Sequence, residues 1–301
     1  MRTSIPAFDT TELAPPAEGE IQAVHEAAWR QLLRHRSAVA GLVVLAVYAL
    51  AALLGPVVFH QYNPAHQDLN AVLLPPSPHH LLGTDNYGRD ELLDLVYGSR
   101  YTLSLGLLAV VIGVGVGVPL GAASGYFGGW ADLLIQRLTD IMLAFPNIVL
   151  ALALVAALGP GLKNVVIAVG VSSIPNFIRL VRSEALKVRQ LPYVEAARAL
   201  GVPSARILLR HLIPNVLAPV IVLATLQMGL AILVAAGLGF FGLGVQPPTP
   251  EWGELLGEGH NYIFRDANLV TFPGLCIFFA VLAFNLVGDG LRDVLDPRLR
   301  T

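Results

Sequence analysis

The sequence predicts an all-α membrane protein with six transmembrane helices and both termini in the cytoplasm, and three observations carry that prediction. Of its 301 residues, 55% are apolar and 13% charged, against roughly a quarter charged in soluble domains, so hydrocarbon is the solvent most of the chain is built for. Six apolar stretches, at about 38–59, 102–124, 134–158, 164–181, 216–244 and 269–289, match the roughly 20 residues that cross a bilayer as a helix. With the N-terminus inside, 15 Lys and Arg fall on the cytoplasmic side and four (Arg89, Arg100, Lys163 and Arg265) outside, the bias that sets orientation.

A membrane β-barrel is excluded, because its strands alternate over about ten residues whereas Leu103 to Val118 is continuously apolar or small apart from Ser104. Residues 1–27 read as an acidic, flexible cytoplasmic leader carrying Asp9, Glu12, Glu18, Glu20 and Glu26. They lack the short basic entry of a cleaved signal peptide, so the first apolar run reads as a retained anchor. Trp29, Leu32 and Leu33, interleaved with Arg30, Arg34 and Arg36, predict an interfacial helix leading into it. Residues 28–301 then form a single permease-like transmembrane domain, with an external segment of about forty residues after the first span and a shorter one at about 246–268 before the last.

Inside the second span Gly113, Gly117, Gly121 and Gly125 recur every fourth residue, a smooth stripe against which another helix can pack closely. Near the inner end of the third span, Asp140 follows Arg137 by three residues, a spacing that predicts an ion pair on one helix face. Asn147, Ser172, Ser173, Asn176, Thr225, Gln227 and Asn285 are polar residues within spans, and such residues face a partner or water. Asn147, Asn176 and Gln227 are the candidates for lining a path; interhelical hydrogen bonds alone would satisfy the same side chains.

Residues 182–215 form a polar, basic cytoplasmic loop between the fourth and fifth spans. Pro192 fits a first helical turn and Gly201 a left-handed stop, which predicts a helix over 192–200. Pro203 starts a second helix that is expected to stop at Pro214, where the ring removes a hydrogen bond. Ala196, Ala197 and Ala199 keep the first helix low in profile, and Glu195 and Arg198 form a charged pair on it. Such a surface suits docking by another protein, although helix physics alone is equally satisfied by an amphipathic connector.

The segment Glu195-Ala196-Ala197, three residues, Gly201, and the ending His211-Leu212-Ile213-Pro214 resemble the cytoplasmic loop of ATP-binding-cassette (ABC) importer permeases. His80-Leu81-Leu82-Gly83-Thr84-Asp85-Asn86-Tyr87-Gly88-Arg89-Asp90 is similar to a segment of the second, C-type permease of the dipeptide, oligopeptide and nickel branch. Leu158-Gly159-Pro160-Gly161, Pro247-Pro248-Thr249-Pro250-Glu251-Trp252-Gly253 and Asn285 to Asp293 resemble it as well, over roughly residues 28–300. The resemblance implies a type I importer-like fold in the bacterial inner membrane and import of di- or oligopeptides by alternating access, with nickel or glutathione-like solutes as the alternative cargo. It implies a heterodimer with a second permease, two ATPase subunits that hold the ATP and Mg, and an extracytoplasmic binding protein. It also implies that Glu195, Ala196, Ala197, Arg198 and Gly201 couple the chain to an ATPase.

What the chain lacks agrees with a transport subunit that is not itself an enzyme. There is no Gly-x-x-x-x-Gly-Lys-Ser/Thr phosphate loop, and the run at Gly113 to Gly117 has no strand-turn-helix context for a dinucleotide. His25-Glu26-Ala27-Ala28-Trp29 lacks the second His of a zinc-protease motif. His60, His66, His79 and His80 are irregularly spaced, and the single Cys276 forms no intrachain disulfide, so neither a metal nor a cofactor is expected on this chain. A net charge of −2 gives no reason to expect nucleic acid. An ion-driven secondary transporter would show buried acids within spans and an inverted repeat, and neither is evident.

Overall fold

The computed structural model describes residues 31–295; the acidic leader, most of the interfacial segment around Trp29, and Arg298 and Arg300 lie outside the described residues. Within them every regular element is helical, apart from one isolated antiparallel bridge between Thr84 and Asp90.

Helix α1, Arg36–Val58, is apolar nearly all round and buries only Ala38, Gly41 and Gly55. Its remaining face, with Val43, Val47, Leu50 and Leu53 more than half exposed, is dressed for lipid. Helix α2, Glu91–Phe127, starts well before the apolar run at 102 because the Asp90 side chain accepts from the Leu93 N–H and caps it. Its first turns bury Glu91, Asp94, Ser99 and Thr102 against other external segments instead of lipid.

The third predicted span is corrected. Residues 134–158 are not one helix: α3, Gly129–Leu143, and α4, Asn147–Leu158, meet at a 91° bend. Pro146 has no N–H to continue the first helix and pushes Phe145 away from helical geometry; it takes φ −54° and ψ 140° and stands before the second. At 15 and 12 residues neither arm reaches the ~30 Å of a hydrocarbon core at about 1.5 Å per residue. Five helices are each long and apolar enough to cross a membrane, and the count is six when the bent pair is taken together as one span.

Helix α5, Leu162–Arg189, is the central one, with Val165, Ala168, Val169, Phe177, Val181 and Ala185 nearly inaccessible. It is the neighbour that the glycine stripe of α2 receives. A Cβ on Gly117 would sit 2.5 Å from Phe177 Cβ, one on Gly121 2.8 Å from the Ile178 carbonyl, and one on Gly125 2.6 Å from Ala185 Cβ. The stripe is thus consumed within the chain. Asp140 also finds a cross-helix partner, the Arg179 guanidinium at 3.0 Å, in place of the expected Arg137. Near it Arg182 grips Asp132 with two bonds of 2.6 and 2.8 Å, tying α5 to α3.

After α5 come α6, Pro192–Ala199, and a one-turn α7, Ser204–Ile207. The expected stop at Pro214 is not made. A π turn at Leu208–Leu212 leads directly into α8, Ile213–Phe240, so the second arm of the loop is the entry to the fifth span. The wide turn carries the Ile213 N–H to the Leu208 carbonyl and leaves room for a ring that has no hydrogen to give the preceding turn. The external helix α9, Trp252–Gly259, and α10, Asn268–Leu295, complete the bundle. Trp252 is 1% exposed, donates its indole N–H to the Leu95 carbonyl at 2.9 Å and meets the Tyr48 ring edge-on, so α9 is pinned to α1 and α2 at the outer end.

Candidate functional site

Two regions gather the candidate residues, one at the cytoplasmic end and one midway through the bundle. At the first, Leu191 is extended, Pro192 opens α6, and the chain turns across the inner end of α2 and α5. Val194, 1% exposed, inserts among Tyr126, Val181, Ala185, Val188, Ile207 and Leu212. Ala197 packs at the edge of that cluster, while Glu195, Ala196, Arg198 and Ala199 are exposed. A single anchor on one side and open small residues on the other leave the outward face free.

The helix ends as its sequence specifies. Gly201 takes φ +76°, its N–H donates to the Arg198 carbonyl at 3.0 Å, and the Val202 N–H reaches back to Ala197 at 3.1 Å. This is the paired closure that ends a helix on a left-handed residue. Leu200, 84% exposed, projects beside the turn with Leu209 at 72%, two apolar side chains held in water with no cover from the described residues.

The charged pair expected of Glu195 and Arg198 is replaced by a different contact. The Arg198 guanidinium lies 5.4 Å from the centre of the Tyr126 ring, and Arg189 donates to the Tyr126 carbonyl at 3.2 Å, so the last turn of α2 is held by α5 and α6 together. Sequence reasoning missed Tyr126, as it missed Tyr193 and Asn215. The Asn215 amide donates to the Tyr193 hydroxyl at 3.1 Å and to the His211 carbonyl at 2.6 Å, and the Tyr193 and His211 rings lie 5.7 Å apart. Tyr126 stood in the sequence next to Phe127 at the end of an apolar run, with nothing to distinguish it from an interfacial aromatic.

The second region is an open cleft of about 590 Å³ between α5, α8 and α10. Asn176, Gln227 and Asn285 face it among leucines that include Leu180, Leu223 and Leu230. Asn147 is not in this cleft; it borders a small adjoining void with Ser172, Ser173 and the other side of Gln227. Gln227, only 5% exposed, borders both spaces, as Leu230 does, and is therefore the candidate that links the other two.

Several of the polar residues within spans spend their hydrogen bonds on their own helix. Ser172 and Ser173 donate to carbonyls three residues back, and Thr225 and Asn285 to carbonyls four back. Among the described residues the amides of Asn176 and Gln227 have no such partner. Outward of the polar cleft, and sharing Leu233, Val281 and Asn285 with it, lies a cleft of about 770 Å³ lined by Ile148, Phe240, Ile277 and Phe278. The continuous surface thus carries its amides among leucines in the inner cleft and is almost wholly apolar in the outer one.

Residues 117–301 match the family described as the binding-protein-dependent transport system inner membrane component, and residues 26–76 match the N-terminal transmembrane domain of oligopeptide transport permease C. The chain is 44% identical to the dipeptide transport system permease protein DppC of Alkalihalophilus pseudofirmus, over 96% of this chain and 95% of that one. It is 44% identical to the glutathione transport system permease protein GsiD of Pectobacterium atrosepticum over 91% of each. Its fold is similar to a chain of the inward-facing MetNI methionine ABC transporter, with a TM-score of 0.55, 22% identity, and 67% of this chain covering 96% of that one; at that identity the likeness concerns the fold alone.

Proposed function

This chain belongs to the binding-protein-dependent transport system inner membrane components, and on that premise we propose that its cytoplasmic helix α6 docks on an ATPase while the cleft around Gln227 forms one wall of a peptide path. It is a multi-pass permease subunit of an ABC importer in the inner membrane, with di- and oligopeptides as its cargo. It transports and is not itself an enzyme. A permease of this kind works with ATPases, a substrate-binding protein and another permease; the finer assignment is a heterodimer of two different permeases on two ATPase subunits.

The observation that carries the docking assignment is the exposure of one complete face of a capped, anchored helix. Val194, the Gly201 turn and the Arg198–Tyr126 contact fix its position, while Glu195, Ala196, Ala199 and Leu200 are left to a partner. In the proposed cycle ATP closes the paired ATPases, α6 moves with them, and the spans rock to expose the cleft alternately to each side. The cleft suits peptides in its composition: free amides midway through the bundle can meet a peptide backbone, and an apolar outer half tolerates varied side chains.

Two experiments test this. With Cys276 replaced by Ala, an Ala199→Cys variant is expected to cross-link to an ATPase subunit carrying single cysteines along its docking groove, and failure with every groove position would refute the docking. The relative named for glutathione transport favours a second cargo reading on the same architecture. Uptake into proteoliposomes containing the whole importer, with dipeptides, longer peptides, glutathione and a nickel chelate as competitors, separates them: the peptide reading requires peptides to compete at the lowest concentration.

A further inference from the structure

The outer end of the bundle gathers more carboxylates than it can neutralise. Asp85, Glu91, Asp94, Glu254 and Glu258 surround one cation, Arg89, itself 3% exposed. Arg89 Nε lies 2.6 Å from Asp85 and 3.3 Å from Asp94, and Nη2 lies 3.5 Å from Glu258. Tyr62 donates its hydroxyl to Asp94 at 2.7 Å and Tyr87 to Glu258 at 2.9 Å.

That leaves Glu91 and Glu254 over. They are 3% and 4% exposed, and among the described residues no donor reaches either oxygen of either side chain, Glu254 facing the Glu258 carboxylate instead. Glu91 opens, beside Asp94 and Glu258, on a void of about 20 Å³, room for about one water. The neighbouring Glu251 shows what a satisfied buried carboxylate looks like here. It accepts from Thr102 at 2.8 Å and from the Gly253 and Glu254 N–H groups at 2.9 and 3.1 Å.

A buried carboxylate with no donor and no cation of its own becomes neutral by taking up a proton. We propose that this outer cage is a proton-binding site in which Glu91 and Glu254 are carried as neutral carboxylic acids at neutral pH, locking the segment around Arg89 to α2 and α9. The charges facing it come from each packed element. The loop brings Asp85, Arg89 and Asp90, the last 3.0 Å from His80 Nδ1; α2 brings Asp94; α9 brings Glu251 and Glu258; Asp266 approaches Glu91 from the turn before α10, and Cys276 from α10 itself. Arg89 is the one cation among these that is charged at every relevant pH.

Burial, with the charge of Glu258 second, pushes the Glu254 acid well above the ordinary carboxyl range, and burial raises Glu258 as well. The sign follows from linkage. A folded-state pKa above the ordinary carboxyl range gives stability that is complete below that range and is lost as pH rises through the folded value. The contribution of Glu254 is therefore lost as pH rises above the ordinary carboxyl range toward its raised folded value. The cage is outside the cleft and the coupling loop, so it stands or falls independently of the cargo.

The test uses the intact importer in lipid nanodiscs. Infrared difference spectra across a pH titration are expected to show a protonated-carboxyl C=O band at neutral pH that is lost toward alkaline pH, with part of it missing in Glu254→Gln and in Glu91→Gln. Glutamine mimics the neutral acid, so thermal stability in these variants is expected to fall less between pH 7 and 10 than in the unaltered protein. Absence of the band from the unaltered protein at neutral pH would overturn the proposal even if neither variant assembled. So would a band unchanged in both variants, or an alkaline loss of stability reversed by calcium or sodium ions, which would make the cage a cation site.

Discussion

Replacement of Gly201 separates a docking helix from a connector. Its φ of +76° lies where a side chain is strained, and a Cβ there would meet nothing within 4 Å, so Gly201→Ala carries a backbone cost alone, about 1–2 kcal/mol. A change of that size shifts the population with the turn closed by roughly 5- to 30-fold. Gly201→Pro does more: it fixes φ near −65° and deletes the N–H that donates to the Arg198 carbonyl at 3.0 Å, together about 3 kcal/mol or more. Helix α6 has eight residues, below the roughly 12–15 at which a helix persists by itself, so it relies on the Val194 anchor and this closure. In proteoliposomes holding the whole importer, the Ala variant is expected to lower peptide uptake severalfold. The Pro variant is expected to abolish uptake while ATP hydrolysis continues and membrane insertion is unchanged. Full uptake by Gly201→Pro would refute the reasoning, because no route would remain by which the end of α6 matters to transport.

Three further changes probe the bundle. Gly121→Val drives a branched side chain into the Ile178 carbonyl and Val181, 2.8 and 2.9 Å from the new Cβ, for an overpacking cost of about 1–3 kcal/mol; thermal unfolding in detergent is expected to come earlier, while Gly115→Val, with nothing within 4 Å, stays near the unaltered protein. Asp132→Asn weakens the two-bond grip of Arg182; both groups are partly exposed, so the loss is about 1 kcal/mol, and the exchange of Asp132→Arg with Arg182→Asp is expected to recover most of it in the same assay. Gln227→Leu keeps the bulk and removes the amide; peptide uptake is expected to fall while binding-protein-stimulated ATP hydrolysis is retained, and unchanged uptake would remove Gln227 from the path.

The parts of the fold legible in the sequence were those set by a local rule. Helix α6 was readable at both ends because Pro192 and Gly201 each have one strong backbone preference, and α1 because its apolar run is uninterrupted. The third span misled because hydropathy averages over direction: Pro146 was visible, yet the size of the bend depends on what α4 packs against, namely Val165, Val169 and Leu238. The early start of α2 was hidden because Glu91 and Asp94 look like loop residues until Arg89 and α9 are folded over them. The contact of Thr102 with Glu251 spans 149 positions, and no spacing rule reaches that far. Asn176 and Gln227 were legible as amides inside apolar helices; that they share a cleft and Asn147 does not is a consequence of the bend.

One helix connects the outer cage to the proposed docking helix. At 37 residues, α2 is about 55 Å long, far more than the ~30 Å of hydrocarbon, and its ends carry different attachments. Outside, Asp94 and Thr102 hold Tyr62 and Glu251; inside, Tyr126 holds Arg189 and Arg198. Between them the glycine stripe lets α2 close on α5, against Phe177, Val181 and Ala185 and the Ile178 and Arg182 carbonyls, and α5 itself runs down to α6. Helix α6 packs through Val194 on Tyr126 of α2, on Val181, Ala185 and Val188 of α5, and on Ile207 and Leu212 at the entry to α8. Asn176 stands on α5, whereas Gln227 stands on α8, which meets it through side chains and enters the loop through the π turn at Leu208–Leu212. The two free amides of the cleft thus stand on two different helices, so the distance between them is the quantity that any relative movement of α5 and α8 would change.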